Sequence, residues 1–352
     1  MKRKNVIQTL ALASALAACL VCGAASARKR TAASSLTASQ TASALVQAAR
    51  ASADGEVAAL VARLDSPDAA RRAEAACALG RMEAGARAAV PRLARLLADG
   101  TPVARTCGNA PPFEDEAWEP DYPTVKETTV GEAATQALMG IGDASDDALV
   151  GALTTAENWR ARKNAAWALA HRGDARAMRA MRAALRDPAW QVRAEAAYAL
   201  FQRGGDSADT VNALISAAGD EAWQVRRQAV FALGHKSGGP VSVAAPLLAA
   251  MRNDADARVR AEAAGALWHS ADSRSFPTLI EALKDEDGGV RARVADTLGN
   301  RADNEDVPLL IAALKDPDAR VREGARRALR IVKQRSEGRV TNLRPLPAGI
   351  PE

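Results

Sequence analysis

The segment DPAWQVRAEAAYALF, residues 187–201, is followed by the closely similar DEAWQVRRQAVFAL, residues 220–233. Three later segments keep its aspartate, its valine-arginine pair, its alanines and its closing leucine: DADARVRAEAAGAL, DEDGGVRARVADTL and DPDARVREGARRAL. Weaker copies precede them: SPDAARRAEAACAL, TTVGEAATQAL and AENWRARKNAAWAL. A phrase that recurs along a chain in this way indicates a repeat architecture.

The closing leucines of these segments set the period of the repeat. They are Leu79, Leu138, Leu169, Leu200, Leu233, Leu267, Leu298 and Leu329, with spacings of 59, 31, 31, 33, 34, 31 and 31 residues. Each phrase follows another segment with apolar residues at helical spacing, such as SFPTLIEAL or DVPLLIAAL, so each unit is a helical hairpin. We therefore predict an all-α fold, a right-handed α-solenoid of about eight antiparallel helix-pair repeats over residues 56–333.

The aspartates that open the phrases predict where each second helix begins. They are Asp187, Asp220, Asp285 and Asp316, and a carboxylate at a helix start accepts hydrogen bonds from unpaired backbone amides. Pro188 and Pro317 follow directly and suit a first helical turn.

The phrase and its 31-residue period resemble the HEAT-like repeats of the phycobilin-lyase type. The resemblance covers about residues 56–333 and implies a fold more than a function, because such repeats serve many unrelated partners. It also implies that the arginine after each valine pairs with an aspartate between repeats; these arginines are Arg193, Arg226, Arg260, Arg291 and Arg322. Together with the N-terminal segment, it suggests an exported bacterial member of that family.

A tryptophan near the start of three successive second helices is the feature that the repeat does not explain. At about 100° per residue, the helix of residues 187–201 has a buried side, Val192, Ala196 and Ala199, and an outward side, Trp190, Ala194 and Phe201. Trp159 and Trp223 are equivalent to Trp190, so we expect a row of indoles spaced on the order of 10 Å apart. Later repeats carry Ala257, Gly288 and Ala319 at that position.

Further polar and aromatic side chains extend this candidate binding surface on the concave side of the solenoid. Gln191 and Gln224 follow two of the tryptophans and offer amide donors and acceptors. Trp167, Tyr198 and Phe231 share a second register on the same helices. Two interpretations stay open for both registers: a groove for a peptide, a protein segment or a glycan, or large side chains that fill gaps between alanine-rich helices.

The 59-residue spacing contains an insertion at about residues 100–126, between the two helices of the second repeat. It is rich in proline and acidic residues and carries three aromatic residues, Phe113, Trp118 and Tyr122. Such an insertion is expected to be a loop. It is either an interaction arm for a basic partner or the groove, or a solvated loop.

The N-terminus has the pattern of an export signal. Residues 1–27 combine a basic start, an apolar run and a small-residue end, as in a secretory signal peptide. The sequence Leu16-Ala17-Ala18-Cys19 also resembles a bacterial lipobox, in which Cys19 is acylated. Residues 28–55 are then expected to form a linker and an N-terminal capping helix, and residues 334–352 a proline-containing tail. The predicted location is periplasmic, or lipid-anchored to the envelope.

Charge and cysteine content narrow the class of partner. Removing residues 1–27 leaves 44 basic and 42 acidic residues, so the mature chain is nearly neutral and nucleic acid is not an expected partner. A membrane is expected only through lipidation at Cys19. Cys77 and Cys107 remain after cleavage and either form a disulfide, which an oxidising compartment permits, or are unrelated thiols.

Catalytic patterns are scarce in this sequence. His171, His235 and His269 each follow a closing leucine by two residues, but none is followed by the glutamate of the iron-binding pairs in helical-repeat hydroxylases. No catalytic residue, metal site or cofactor is therefore predicted. The favoured function is a non-catalytic exported scaffold for a protein or peptide. The alternatives are an enzyme or accessory subunit, lyase-like or cofactor-handling, and a structural envelope spacer; the oligomeric state is left open.

Overall fold

The computed structural model describes residues 33–104, 127–171, 175–236, 241–267, 275–301 and 307–334, in two compact units, Met1–Arg63 and Leu64–Glu352. The signal segment and the proline-containing tail lie outside these ranges. Helix α1, Ala33–Arg63, belongs to the first unit and continues past residue 55, where the sequence suggested the first repeat begins. No described helix is both long and apolar enough to span a membrane.

In the second unit, first helices alternate with second helices along the chain. We call the earlier helix of each repeat its first helix and the later one its second helix. The first helices are α3 (Val90–Leu96), extended by a 3₁₀ turn at Glu83–Ala89, α5 (Asp146–Thr155), preceded by a 3₁₀ turn at Asp143–Ser145, α7 (Ala175–Ala184), α9 (Ala208–Ala217), α11 (Ala244–Asn253), α13 (Ser275–Ala282) and α15 (Val307–Ala313). The second helices are α2 (Ala69–Gly80), α4 (Val130–Ile141), α6 (Trp159–Ala170), α8 (Trp190–Arg203), α10 (Trp223–Gly234), α12 (Ala257–Ala266), α14 (Gly288–Arg301) and α16 (Ala319–Gln334).

Packing between these helices confirms the all-α solenoid. From α4 to α14, each second helix contacts the first helix of its own repeat and the second helices of both neighbouring repeats. The closing leucines lie at the centre of this arrangement; from Leu79 to Leu329, none is more than 5% exposed. Neighbouring repeats thereby bury the apolar surface that one helix pair leaves open.

The exposed side of α8 is narrower than the helical wheel predicts. Val192, Ala196 and Ala199 are buried as predicted, but Ala194 is also buried, with an exposure of 5%. Glu195 beside it is 2% exposed. The prediction for Ala194 was wrong because α6 and α10 cover the two flanks of α8, a constraint that a wheel for one isolated helix omits.

An arginine–aspartate ladder joins consecutive repeats. Six arginines of the described chain each contact the aspartate that precedes the next second helix, at 2.6 to 2.8 Å: Arg72–Asp99, Arg162–Asp187, Arg193–Asp220, Arg226–Asp254, Arg260–Asp285 and Arg291–Asp316. In the last described repeat, Arg322 donates to the backbone carbonyls of Asp316 and Pro317. Arg193 makes the equivalent contacts to the carbonyls of Asp187 and Pro188. The ladder therefore extends two rungs toward the N-terminus beyond the arginines named from the sequence.

The ladder also corrects the predicted helix starts. Helix α8 begins at Trp190 rather than at Asp187, and Pro188 lies before the helix. The carboxylate of Asp187 accepts from the amide of Ala189 at 2.8 Å and from Arg162, so it is not the helix cap. A carboxylate that is held by the previous repeat fixes the loop between helices, and the helix starts one turn later.

A short β-ladder closes the base of the insertion. Strands β1 (Pro102–Ala104) and β2 (Glu127–Thr129) pair antiparallel, with Val103 opposite Thr128. Thr129 then caps α4 in a reciprocal capping box with Glu132. Strands of three residues are too short to give a periodic sequence signal, and the sequence therefore did not indicate them.

Candidate partner-binding surface

The three tryptophans of the first register occupy the same place in three successive helices. Trp159, Trp190 and Trp223 are the first residues of α6, α8 and α10, and each is half-buried. The residues before them, Asn158, Ala189 and Ala222, are extended and end the preceding loop. We call the surface formed by the second helices and their first residues the second-helix face.

Trp223 is in contact with the following repeat. The guanidinium carbon of Arg258, the second residue of α12, lies 3.3 Å from the centroid of the indole, a cation–π contact. Gln224 occupies the same position relative to Trp190 that Arg258 occupies relative to Trp223. One flank of each indole is therefore expected to face the next repeat, and the rest of its exposed area remains available to a partner.

Trp159 is arranged differently from Trp223. The guanidinium carbon of Arg160, in the same helix, lies 4.6 Å from its ring centroid. Gln191 and Gln224, the glutamines that follow the other two tryptophans, are half-buried. The row thus presents indole and amide groups side by side, a combination suited to peptide backbone and apolar side chains.

The aromatic residues of the second register belong to a packed cluster at the other end of these helices. Phe231 and Phe201 have ring centroids 4.7 Å apart, His235 lies 4.7 Å from each, and Tyr198 lies 5.8 Å from Phe201. Trp167 packs on His171 at 4.9 Å. Phe201 therefore joins two repeats instead of facing outward alone. These ring contacts favour the packing interpretation for this register.

The histidines have a local structural environment. Nδ1 of His171 and of His235 each lie 2.9 Å from the carbonyl oxygen of the aromatic residue four positions earlier, Trp167 and Phe231. Both histidines end a helix. His269 lies outside the described residues. Within the described ranges, no three histidine, cysteine or acidic side chains form a group that could hold a metal ion.

The C-terminal part of the second-helix face is charged instead of aromatic. A depression of about 370 Å³ is lined by four arginines and two acids, Arg227, Arg258, Arg293, Arg320, Glu262 and Asp287. A neighbouring depression of about 520 Å³ lies between α14 and α16. These residues carry no distinctive signal in the sequence, because arginines at variable positions of a repeat look like ordinary solvated charges.

Hydrogen bonding lowers the pKa of two aspartates at this end of the face. The bond from Arg258 is the main reason that the pKa of Asp256 lies below its usual value, although partial burial opposes the shift. The bond from Arg320 lowers the pKa of Asp318 to about 2. Both carboxylates also cap helices, since they accept from the amides of Arg258 and Arg320. They are therefore ionised at neutral pH.

Several residues singled out from the sequence lie outside the described residues. They are Phe113, Trp118 and Tyr122 of the insertion, together with Cys107 and Cys19. Cys77 in α2 is buried and forms a disulfide. The other three cysteines of the sequence all lie outside the described ranges, so the pairing of Cys77 with Cys107 remains a proposal.

Comparison with known sequences identifies the repeat. The profile of HEAT repeats matches residues 126–201, 181–245 and 243–330, more than half of the chain. The chain belongs to the HEAT-repeat family. No curated protein sequence matches it.

Two solved structures share the fold, and a third aligns with a low score. A Kap95:Nup1 complex aligns with a TM-score of 0.54 at 14% identity, covering 80% of this chain and 42% of that chain. An importin beta crystallised from ammonium sulfate gives 0.52 at 16% identity, covering 79% and 42%. A human deoxyhypusine hydroxylase in complex with glycerol gives 0.32 at 23% identity, covering 80% and 97%. The HEAT repeats of this chain thus span less than half of the importin-type chains.

Proposed function

We propose that this HEAT-repeat chain is a non-catalytic exported scaffold that binds a protein or peptide on the second-helix face, which we take to be concave. One observation carries the proposal. Three consecutive second helices, α6, α8 and α10, begin with a half-buried tryptophan, whereas the next three, α12, α14 and α16, begin with Ala257, Gly288 and Ala319. The fold does not need an indole at this position, so a local binding site is the better explanation for the row.

The chemistry of the row supports a protein partner. Tryptophan combines a large contact area with a hydrogen-bonding edge and is enriched where interfaces gain most of their affinity. HEAT-type solenoids commonly bind proteins, and the Kap95:Nup1 complex is one solved structure that shares the fold. The resemblance to phycobilin-lyase-type repeats belongs to the proposal only as a subtype of fold; no lyase activity is proposed.

Export is the second part of the proposal. It rests on the signal pattern of residues 1–27 and on the disulfide of Cys77, which suits an oxidising compartment. Intact mass of the mature protein distinguishes the two forms of export. Cleavage after Ala27 gives a soluble periplasmic chain, whereas an acyl-modified Cys19 at the N-terminus gives an envelope-anchored lipoprotein. An uncleaved N-terminus in the native host contradicts both.

A site-specific crosslinking experiment tests the binding surface. A photo-reactive amino acid is introduced at Gln224 on the second-helix face and, as a matched control, at the exposed Arg179 of first helix α7. We expect a discrete crosslinked envelope protein from position 224 and not from position 179. The Trp159→Ala/Trp190→Ala/Trp223→Ala variant should abolish that product while helical circular dichroism is retained.

Three outcomes contradict the proposal. Equal crosslinking from positions 224 and 179 indicates no selective surface. Loss of helical circular dichroism in the triple variant indicates that the tryptophans serve packing. Full crosslinking by a folded triple variant indicates that the tryptophans are not part of the binding site.

A further inference from the structure

The charged depression at the C-terminal end of the second-helix face contains one arginine, Arg293, that no described residue neutralises. Arg227 faces Glu262 at 3.5 Å, Arg258 faces Asp256 at 2.8 Å and Arg320 faces Asp318 at 2.8 Å. Within the part of the chain that the structure describes, Arg293 makes no ion pair or side-chain hydrogen bond. It is only half-exposed, so its charge is partly shielded from water.

The position of Arg293 is set by a glycine in the neighbouring helix. A Cβ atom added to Gly265 of α12 would lie 2.3 Å from Nε of Arg293, so the guanidinium rests directly on the helix backbone there. Gly265 is the counterpart of Trp167, Tyr198 and Phe231 in the earlier repeats. Replacement of an aromatic residue by glycine at this position thus opens the space that Arg293 fills.

Asp287, one of the two acidic residues that line the depression, is already engaged. Oδ1 of Asp287 accepts from the amides of Gly289 at 2.7 Å and Val290 at 3.0 Å, which holds it at the start of α14. Arg293 and Arg320 line both depressions, so they mark the junction between the two. A ligand that crosses from one depression to the other passes these two guanidinium groups.

The depression is also continuous with the tryptophan row. Arg258 lines the depression and covers the ring of Trp223 at 3.3 Å. A partner polypeptide bound along the second-helix face therefore contacts indole groups in one repeat and guanidinium groups in the next. The four carboxylates in or beside the depression, Asp256, Glu262, Asp287 and Asp318, match its four arginines in number, which disfavours a polyanion such as nucleic acid.

We propose that the depression between α10 and α16 binds an acidic segment of the partner polypeptide, with Arg293 as the anchor for one of its carboxylates. The inference rests on the proposed function, since it names the chemistry of the partner that lies along the tryptophan row. The planar guanidinium of Arg293 offers two parallel N–H donors to a carboxylate. Arg258 and Arg320 flank it and favour further acidic residues.

Fluorescence anisotropy of labelled peptides tests the proposal on the mature full chain. The probes are a hexaglutamate peptide with a C-terminal tryptophan amide and its hexaglutamine counterpart. We expect the glutamate probe to bind more tightly, and its affinity to fall as NaCl is raised because salt screens the charge pairs. Arg293→Gln should weaken binding about tenfold, the usual effect of losing one charge-assisted hydrogen-bonded contact. Arg179→Gln, with the same change in charge on a first helix, should leave affinity unchanged.

A second variant separates position from net charge. Gly265→Ala keeps the charge of the protein but displaces the flexible guanidinium of Arg293, and we expect a similar loss of affinity with retained helical circular dichroism. Equal binding of the two probes, equal effects of Arg293→Gln and Arg179→Gln, or complete displacement by micromolar inorganic phosphate would overturn the acidic-peptide assignment. If the wild type self-associates and Arg293→Gln abolishes that self-association, the surface binds a second copy of this chain. This result would also overturn the acidic-peptide assignment.

Failure of this inference is distinguishable from failure of the proposed function. If envelope crosslinking at Gln224 depends on the tryptophans but Arg293→Gln changes nothing, the scaffold role stands and the acidic partner does not. If neither the tryptophan variant nor the arginine variants affect capture of a partner, the proposed function itself is wrong.

Discussion

Arg193 and Asp220 join two consecutive repeats through a two-pronged ion pair. Nε and Nη2 of Arg193 donate to the two carboxylate oxygens of Asp220 at 2.7 and 2.8 Å. Nη1 donates at 2.9 Å to the carbonyl of Asp187, in the loop before its own helix. One guanidinium thus fixes two successive loops, and repetition of this contact sets the relation between neighbouring repeats.

Loss of this rung should destabilise the solenoid. Arg193 and Asp220 have side-chain exposures of 8% and 12%, so Arg193→Ala leaves a carboxylate that is nearly buried and has lost its main partner. We expect a loss of about 3 kcal/mol in the free energy of unfolding, the usual magnitude for breaking a buried pair from one side. Urea denaturation measures it. The control is Arg326→Ala, whose pair with Glu323 is 56% and 50% exposed and should contribute less than about 1 kcal/mol. Equal effects would refute the structural role of the ladder.

Acid should weaken the ladder from below about pH 4. The hydrogen bond from Arg291 lowers the pKa of Asp316. Burial would raise the pKa of Asp285, but hydrogen bonds from Arg260 and from the amide of Asp287 outweigh burial and lower it. An unfolded aspartate has a pKa of about 3.9. The folded protein therefore binds fewer protons than the unfolded chain in this range, and the stability contributed by these groups, complete at neutral pH, is lost as pH falls through their folded pKa values.

Denaturation midpoints at pH 7, 4 and 3 test this dependence. The wild type should lose stability on acidification, whereas Asp316→Asn should be less stable at pH 7 and should change less between pH 4 and 3. If Asp316→Asn loses as much stability between pH 4 and 3 as the wild type does, the acid dependence does not arise from Asp316.

Trp223 should contribute less to stability than the closing leucine of the same helix. Trp223 is half-buried, and its counterparts later in the chain are alanine or glycine, whereas Leu233 has no exposed surface. We expect Trp223→Ala to cost about 1 kcal/mol through the lost contact with Arg258. Leu233→Ala should cost about 2–5 kcal/mol because it leaves a cavity in the core. Thermal and urea unfolding give both values, and a reversed order would assign the tryptophan to packing.

Helices α2 and α4 approach so closely that glycine is required between them. A Cβ atom on Gly140 would lie 2.5 Å from the carbonyl oxygen of Gly80. Gly140→Ala should therefore cost about 1–3 kcal/mol, as overpacking does. Gly151 in α5 has no atom within 4 Å of an added Cβ, so Gly151→Ala should stabilise the helix by about 0.5–1 kcal/mol. Unfolding curves that show equal changes in the two variants contradict the close approach.

The disulfide of Cys77 is expected to link α2 to the insertion. Pairing with Cys107 closes a loop of about 30 residues, which stabilises a fold by about 3 kcal/mol. A non-reduced digest should contain one crosslinked peptide pair that joins residues 77 and 107. The Cys77→Ser/Cys107→Ser variant should melt at a lower temperature under oxidising conditions and like the wild type under reduction. A digest that joins Cys77 to any other cysteine contradicts the pairing.

Parts of the candidate surface were predictable for a simple reason. Position within a repeat is a matter of counting, so Trp159, Trp190 and Trp223 could be placed in one register from the sequence. The cluster of Phe201 with Phe231 and His235 was not predictable in this way, because it joins residues at different repeat positions. Arg293 was missed for the same reason, since its environment depends on Gly265 in the preceding repeat.

The sequence by itself determined the period, the helical hairpin and the buried leucines, whereas the pairing of arginines with aspartates between repeats was implied by the family resemblance. The first three follow from local periodicity and from the recurrence of the closing leucine, and the pairing follows from a motif that most of the repeats carry. Only the tertiary structure decided where each second helix begins, that Ala194 and Glu195 are buried, and that one end of the second-helix face is aromatic and the other is lined by charged residues of both signs. Each of these depends on contacts between neighbouring helices, and a repeat phrase describes one helix at a time.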